Sequence, residues 1–205
     1  MFIQIIQGRC SRESEMREAI ERWRRECEPG AEGWLGGTYG FTDDGQFVGV
    51  VRFTSEDDAR RNSDRPEQAS WWEQTEQLFD GPVEFHDCRE VSVMLGGGSD
   101  EAGFVQIIRG RVDDPIRLRE LMESSSQTLH EARPEILGAT LAIEDDGTFT
   151  EMVAFTDEAT ARARESDEMP EDMQAQMAAV PTRDLQYLDL HRPWFATHGR
   201  PTASG

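Results

Sequence analysis

Phe2-Ile3-Gln4-Ile5-Ile6-Gln7-Gly8-Arg9 and Phe104-Val105-Gln106-Ile107-Ile108-Arg109-Gly110-Arg111 are one strand written twice, 102 residues apart and identical at six of eight positions. The offset persists downstream. Gly36 and Thr38 align with Gly138 and Thr140, and Asp43-Asp44-Gly45 aligns with Asp145-Asp146-Gly147. Phe47, Val51, Phe53-Thr54 and Ala59-Arg60 align with Phe149, Val153, Phe155-Thr156 and Ala161-Arg162. Register slips by one or two residues near Ser63-Asp64 and Ser166-Asp167, then returns at Phe85 and Tyr187. Chance does not hold an offset over about sixty residues, so the chain is a tandem duplication of one unit of about 100 residues.

Each copy reads strand, helix, strand, strand, helix, strand. Phe2–Arg9 is β-rich and ends near glycine. Met16, Ile20, Trp23 and Cys27 then fall at helical spacing behind a cap at Ser11 or Ser14. In the second copy Asp113 or Asp114 caps Pro115 and the row Leu118, Leu121, Met122, Ser125, Leu129. Asp-Gly at 44–45 and at 146–147 marks a hairpin in each copy. Ser55-Glu56-Asp57-Asp58 opens a second helix, interrupted near Pro66 and, in the second copy, near Pro170. Val83–Leu95 and Leu185–Leu190 supply the last strands.

This is the ferredoxin-like β-α-β-β-α-β unit, so the expected fold class is α+β. Its helices cover one sheet face only, and the second copy is expected to cover the other and close an intramolecular dimeric α/β barrel. The expected division is 1–95 for the first repeat, 96–103 for a flexible glycine-rich linker, 104–195 for the second repeat and 196–205 for a flexible tail.

Forty-one carboxylates stand against twenty-one cations, a net charge of −20, and every cation is an arginine. So acidic a surface disfavours nucleic acid and anionic membranes as partners. The absence of lysine excludes a P-loop lysine, a Schiff base and a pyridoxal attachment point. Cys10, Cys27 and Cys88 are odd in number and lack a C-x-x-C spacing, which argues against a disulfide framework or a zinc cluster. The chain enters a strand pattern directly from Met1, without a basic or long apolar leader, so a cytoplasmic location is expected. The internal pseudo-dimer predicts a monomer.

The two F-[IV]-Q-I-I-x-G-R strands, the Asp-Asp-Gly hairpins and the S-D-…-P-E segments at Ser63–Glu67 and Ser166–Glu171 together resemble the dimeric α/β-barrel superfamily in a tandem-fused actinobacterial form. The resemblance covers nearly the whole chain and is specific for fold rather than activity. It implies a small-molecule pocket protein, with a cofactor-independent antibiotic-biosynthesis-type monooxygenase acting on an aromatic or polyketide-like substrate as the leading reading. A non-catalytic ligand-binding or stress-associated protein is the alternative, and haem binding comes third. The monooxygenase branch implies an asparagine and a tryptophan near the second helix, where this chain has Asn62 and Trp71-Trp72. The histidine that haem-degrading members carry at the end of that helix is absent from Gln77-Leu78-Phe79-Asp80.

The second copy serves as an internal control, because residues shared by both copies serve the fold. Trp71 aligns with Met173 and reads as core; Trp72 aligns with Gln174 and reads as a pocket or interface residue. Asn62 faces Arg164 or Glu165, with a solvated helix-breaking role as the simpler alternative. His86 aligns with Leu188 and Arg52 with Ala154, so both are expected to point inward, as a satisfied core histidine and a salt-bridged arginine or as catalytic groups. Tyr39, opposite Leu141, offers a pocket hydroxyl. The expected site therefore combines His86, Asn62 and Arg52 as catalytic groups with Trp72, Trp71 and Tyr39 as ligand-binding groups. It lies in the first copy, binds a small aromatic molecule and uses neither metal nor cofactor. His130 is the rival haem ligand and otherwise an exposed helix residue, and His191 and His198 are expected in solvent. The acidic hairpins lack calcium-loop spacing and read as turns.

Overall fold

The computed structural model of the chain describes residues 1–164 and 171–197. It contains two compact units. The first carries β1 (Phe2–Arg9), α1 (Glu13–Glu26), β2 (Trp34–Phe41), β3 (Gln46–Phe53), α2 (Glu56–Ser63), α3 (Pro66–Thr75) and β4 (Glu84–Cys88). The second carries β5 (Glu90–Met94), β6 (Phe104–Val112), α4 (Pro115–Ala132), β7 (Ile136–Ile143), β8 (Thr148–Phe155), α5 (Glu158–Ala163), α6 (Glu171–Ala178) and β9 (Thr182–Leu190). The last strand, β10 (Trp194–Thr197), belongs to the first unit. Both units are the expected α+β, ferredoxin-like fold, with sheet orders β10-β2-β3-β1-β4 and β5-β7-β8-β6-β9.

The local chemistry explains most element boundaries. Ser55 Oγ accepts from the Asp58 amide at the start of α2, Asp114 caps α4 through the Arg117 amide at 3.0 Å, and Asp157 caps α5 through the Thr160 amide at 2.8 Å. Helix α1 differs from expectation. It starts at Glu13 without a side-chain cap, because Ser11 is engaged by Asp80 through its amide (2.7 Å) and hydroxyl (3.1 Å). Met16, Ala19, Ile20 and Trp23 still form the buried stripe of α1. Met16, Ile20 and Trp23 meet Phe2, Trp34, Phe47 and Phe53 of the sheet in one core, while Leu118 and Leu121 of α4 meet Phe104, Leu141, Phe149 and Phe155 in the other. The sheet faces turned away from the helices are buried too, through Ile3, Ile5, Val48 and Val50 in one unit and Val105, Ile107, Met152 and Leu190 in the other.

The repeat boundaries in sequence and the boundaries of the compact units differ. Val83–Leu95 is not one strand: Glu84–Cys88 stays in the first sheet, and Glu90–Met94 pairs antiparallel with β7 in the second. Correspondingly β10, which follows the second repeat, pairs with β2, from Trp194 opposite Tyr39 to Thr197 opposite Gly36. Each exchanged strand covers an edge that would otherwise present unpaired backbone groups. Ala196 and Thr197, expected in the flexible tail, are thus ordered strand residues, and Ala196 is buried. The rest of that tail, His198 included, and residues 166–170 of the Ser166–Glu171 segment lie outside the described residues.

The glycine linker is also built in rather than loose. Gly96 and Gly97 adopt φ +81° and +85°, and the Gly97 amide donates to Met94 at 2.9 Å. The Gly97 carbonyl lies 1.4 Å from where a Cβ on Gly138 would stand, so that glycine admits no side chain. In the first unit, a Cβ on the aligned Gly36 would lie 2.6 Å from the Ala196 carbonyl. The repeat glycine therefore marks where the exchanged segment crosses the bulge of β2 and of β7.

A chain stopped after Pro193 should lose amide-exchange protection across Trp34–Phe41, some 150 residues away in sequence, while Thr182–Leu190 stays protected. Hydrogen exchange read by mass spectrometry checks this; loss confined to β9 would contradict the exchange.

Candidate functional site

Alternation along β1, β2 and β3 turns Gln4, Ile6, Tyr39 and Val51 toward the helices of the first unit. There they line a cavity of about 60 Å³ with Trp23, Trp34, Asn62 and Gln68 among others. The cavity shares Gln4, Ile6, Ser63, Gln68 and Trp71 with a neighbouring cleft of about 460 Å³, whose further lining includes Trp72, Phe85, Glu73 and Glu76. Phe85 meets Trp72 edge-on at 5.1 Å, which makes one wall of the cleft aromatic.

A chain of hydrogen bonds orients the carboxamides. Arg65 Nη1 donates to Asn62 Oδ1 at 3.0 Å and to the Cys27 carbonyl at 2.9 Å. Asn62 Nδ2 donates to Gln68 Oε1 at 3.2 Å, and Trp23 Nε1 donates to the same oxygen at 2.6 Å. Guanidinium and indole nitrogens can only donate, so the amide flips of Asn62 and Gln68 follow from these partners. Gln68 Nε2, with two N–H donors and no acceptor among the described residues, is left on the wall common to cavity and cleft. Gln4 is committed elsewhere, donating to Asp87 at 2.9 Å. The Tyr39 ring stacks with Trp194 at 5.7 Å, and burial pushes its hydroxyl pKa above the usual range.

The structure brings four of the six expected residues to this side of the sheet. Asn62 is buried rather than solvated, and Trp71 is core as expected, its Nε1 donating to the Ala19 carbonyl at 2.8 Å. Tyr39 joins them in the cavity, and Trp72 lines the cleft. Arg52 and His86 lie on the opposite face. Arg52 is opposite Ile3 and Gly36 and donates to Thr38 Oγ1 at 3.3 Å. His86 alternates with Phe85 and Asp87, which face the helices, and its Nε2 is 3.5 Å from Glu84 Oε2. Sheet parity thus separates the two groups by a layer of backbone. The other two histidines among the described residues are not free in solvent. His130 Nδ1 lies 2.9 Å from the Ile136 carbonyl and His191 Nδ1 lies 2.6 Å from Glu158 Oε2, both partly buried. Among the described residues no group of three or more metal-ligating side chains occurs, and no helix is long and apolar enough to cross a membrane.

Two residues escaped the sequence reading. Gln68 carries no signal, because only the break between α2 and α3 folds it back onto Asn62 and Trp23. Glu151 does carry one. It shares strand parity with Phe149, Val153 and Phe155, all in the helix-side core of the second unit, and it aligns with Gly49 of the first copy. Burial alone pushes its carboxyl up to about 7.

No family model matches the chain, and no curated protein does. Solved structures do match along its length. The "putative monooxygenase" of Lactobacillus acidophilus superposes with a TM-score of 0.75 at 12% identity, covering 97% of this chain and 96% of that one. A "putative monooxygenase" of Fusobacterium nucleatum gives 0.75 at 11% identity, covering 97% and 94%. An anthrone oxidase-like protein gives 0.66 at 12% identity, covering 100% and 96%. At these identities the likeness shows the fold alone, the ferredoxin-like fold that the sequence predicts.

Glu151 should leave a mark on stability. The unfolded chain releases this proton near pH ~4.3, whereas the folded protein holds it to about 7, so the folded state binds more protons in between. Stability is therefore expected to fall as pH rises through that window, by at most about 4 kcal/mol from this group. Urea denaturation at pH 5 and pH 8 should show a smaller drop for Glu151→Gln than for the parent; equal drops would contradict it.

Proposed function

We propose that the first unit binds a flat, polycyclic, enolisable aromatic in the cleft beside Trp72 and Phe85 and promotes its oxidation by dioxygen. The observation that carries this reading is the fixed Gln68 amide, whose free N–H donors stand where cavity meets cleft. The enol or phenol form of such a substrate loses its proton to water or to Glu73 or Glu76. Gln68 Nε2–H then hydrogen-bonds the developing oxyanion, which is worth most where water is excluded. The electron-rich anion passes one electron to O₂, the radical and superoxide combine at carbon, the peroxide anion takes back the proton released earlier, and the hydroperoxide loses water to leave a ketone. The monooxygenase-like and anthrone oxidase-like proteins that share the fold lend this reading support.

One observation favours a second reading, a non-catalytic binder of the same class of ligand. Apart from Tyr39, no side chain lining the inner cavity among the described residues is ionisable, so these residues supply the cavity no base.

Anthrone is the probe for both. In an oxygen electrode the full-length protein should accelerate anthrone-dependent O₂ uptake over the spontaneous rate. Gln68→Leu should lower kcat/KM about 100-fold through loss of the oxyanion donor. Trp72→Ala should mainly raise KM. Saturable quenching of tryptophan fluorescence by anthrone, with uptake no faster than in buffer, selects the binder; neither quenching nor uptake refutes both readings.

A further inference from the structure

The inward face of the second sheet holds one continuous cross-strand row. Ser92 of β5 pairs with Leu141 of β7, Leu141 with Glu151 of β8, Glu151 with Ile108 of β6, and Ile108 with Tyr187 of β9. Adjacent members stand ~4.8 Å apart, so Glu151 occupies the centre with an aliphatic neighbour on each side. Along its own strand the same-face neighbours are Phe149 and Val153, both buried.

The first unit fills the corresponding place differently. There the row reads Trp194, Tyr39, Gly49, Ile6. A Cβ on Gly49 would stand 3.2 Å from Tyr39 Cδ1 and 3.3 Å from Phe47 Cε1, so the Tyr39 ring takes the room above the glycine. In the second unit both members of this pair have changed together, tyrosine to Leu141 and glycine to Glu151. A carboxyl group now stands where packing alone is served by an aromatic ring.

Nothing in the described scaffold requires that carboxyl. It makes no hydrogen bond or ion pair with any described residue. Glu123, beside the row, accepts from Ser92 at 2.6 Å, and Arg109, on the opposite face, pairs with Glu144 at 2.7 Å. An uncompensated carboxylate among Leu, Ile, Phe and Val destabilises a fold. The residue keeps some exposure to solvent.

We propose that Glu151 is the proton-accepting group of a second small-molecule site, on the helix-facing side of the second unit, for flat, uncharged aryl ketones with an enolisable C–H. The aliphatic residues flanking it suit a flat apolar ring, and a chain of net charge −20 disfavours anionic ligands. In the step itself the substrate Cα–H bond breaks and its proton forms a bond to a Glu151 carboxylate oxygen. The C–H electron pair becomes the C=C bond of the enolate, and the carbonyl π pair moves to oxygen. Reversal returns a proton to carbon, so no oxidant or reductant is needed. A carboxyl poised near 7 is matched to this exchange at neutral pH. The site stands independently of the reading given for the first unit.

The test is α-proton exchange of 1-tetralone in D₂O, followed by proton NMR without oxygen, using the full-length protein near neutral pD. Exchange should exceed the buffer rate and fall at least tenfold in Glu151→Gln, while Glu101→Gln, a carboxylate deletion in the linker, leaves it unchanged. Glu151→Leu should melt higher than the parent at pH 8, which controls for folding and separates a functional carboxyl from a structural one. No exchange above buffer, an undiminished rate in Glu151→Gln, or a lower melting temperature in Glu151→Leu each overturns the proposal. Because the assay excludes oxygen, failure of anthrone oxidation in the first unit leaves its outcome unaffected.

Discussion

Backbone pairing of β10 with β2, and of β5 with β7, is the interaction on which the other features rest. Without it, each sheet ends in an open edge of unpaired amides and carbonyls. With it, Trp194 is delivered beside Tyr39 at 5.7 Å and beside Phe41 at 5.9 Å, with the Arg17 guanidinium 3.9 Å over its ring. That stack holds the Tyr39 ring over Gly49 and so bounds the inner cavity of the first unit. In the second unit the exchanged β5 brings Ser92 to Glu123 and Glu90 to Arg119. Gly36 and Gly138 are the sequence trace of the crossing, since a side chain at either would collide with backbone.

On this shared scaffold the two units have diverged in the residues that face the helices. The first surrounds its cavity with tryptophans and neutral carboxamides, ordered by donors that cannot be reversed. The second replaces a tyrosine over a glycine by a leucine beside a glutamate, and exchanges ring packing for a titratable group in apolar surroundings. Near the end of the second-helix segment the contrast repeats. Asn62 joins an amide relay in one unit, while Arg164 in the other pairs with the buried Glu135 at 3.0 Å.

The fold was legible because duplication states it twice, and a pattern that recurs at fixed offset separates scaffold from variation. The strand exchange was not legible, because Val83–Leu95 reads as one extended stretch and nothing local marks the departure at Arg89. Strand parity marked Arg52 and His86 as inward-pointing. Parity alone does not say which sheet face the helices cover, so it could not show that Asn62, Trp71 and Tyr39 lie on the other side. Gln68 was invisible because its role depends on the chain reversing between α2 and α3. Glu151 was visible in principle, as a carboxylate standing in the register of Phe149 and Val153.

The exchange also has a consequence for vectorial synthesis. Residues 194–197 emerge from the ribosome after every other described element, yet they complete the unit that was begun first. Throughout translation of the second repeat, the nascent first sheet must therefore wait with β2 as a bare margin. A chain that stalls within that interval displays Trp34–Phe41 to any neighbouring polypeptide able to add a strand.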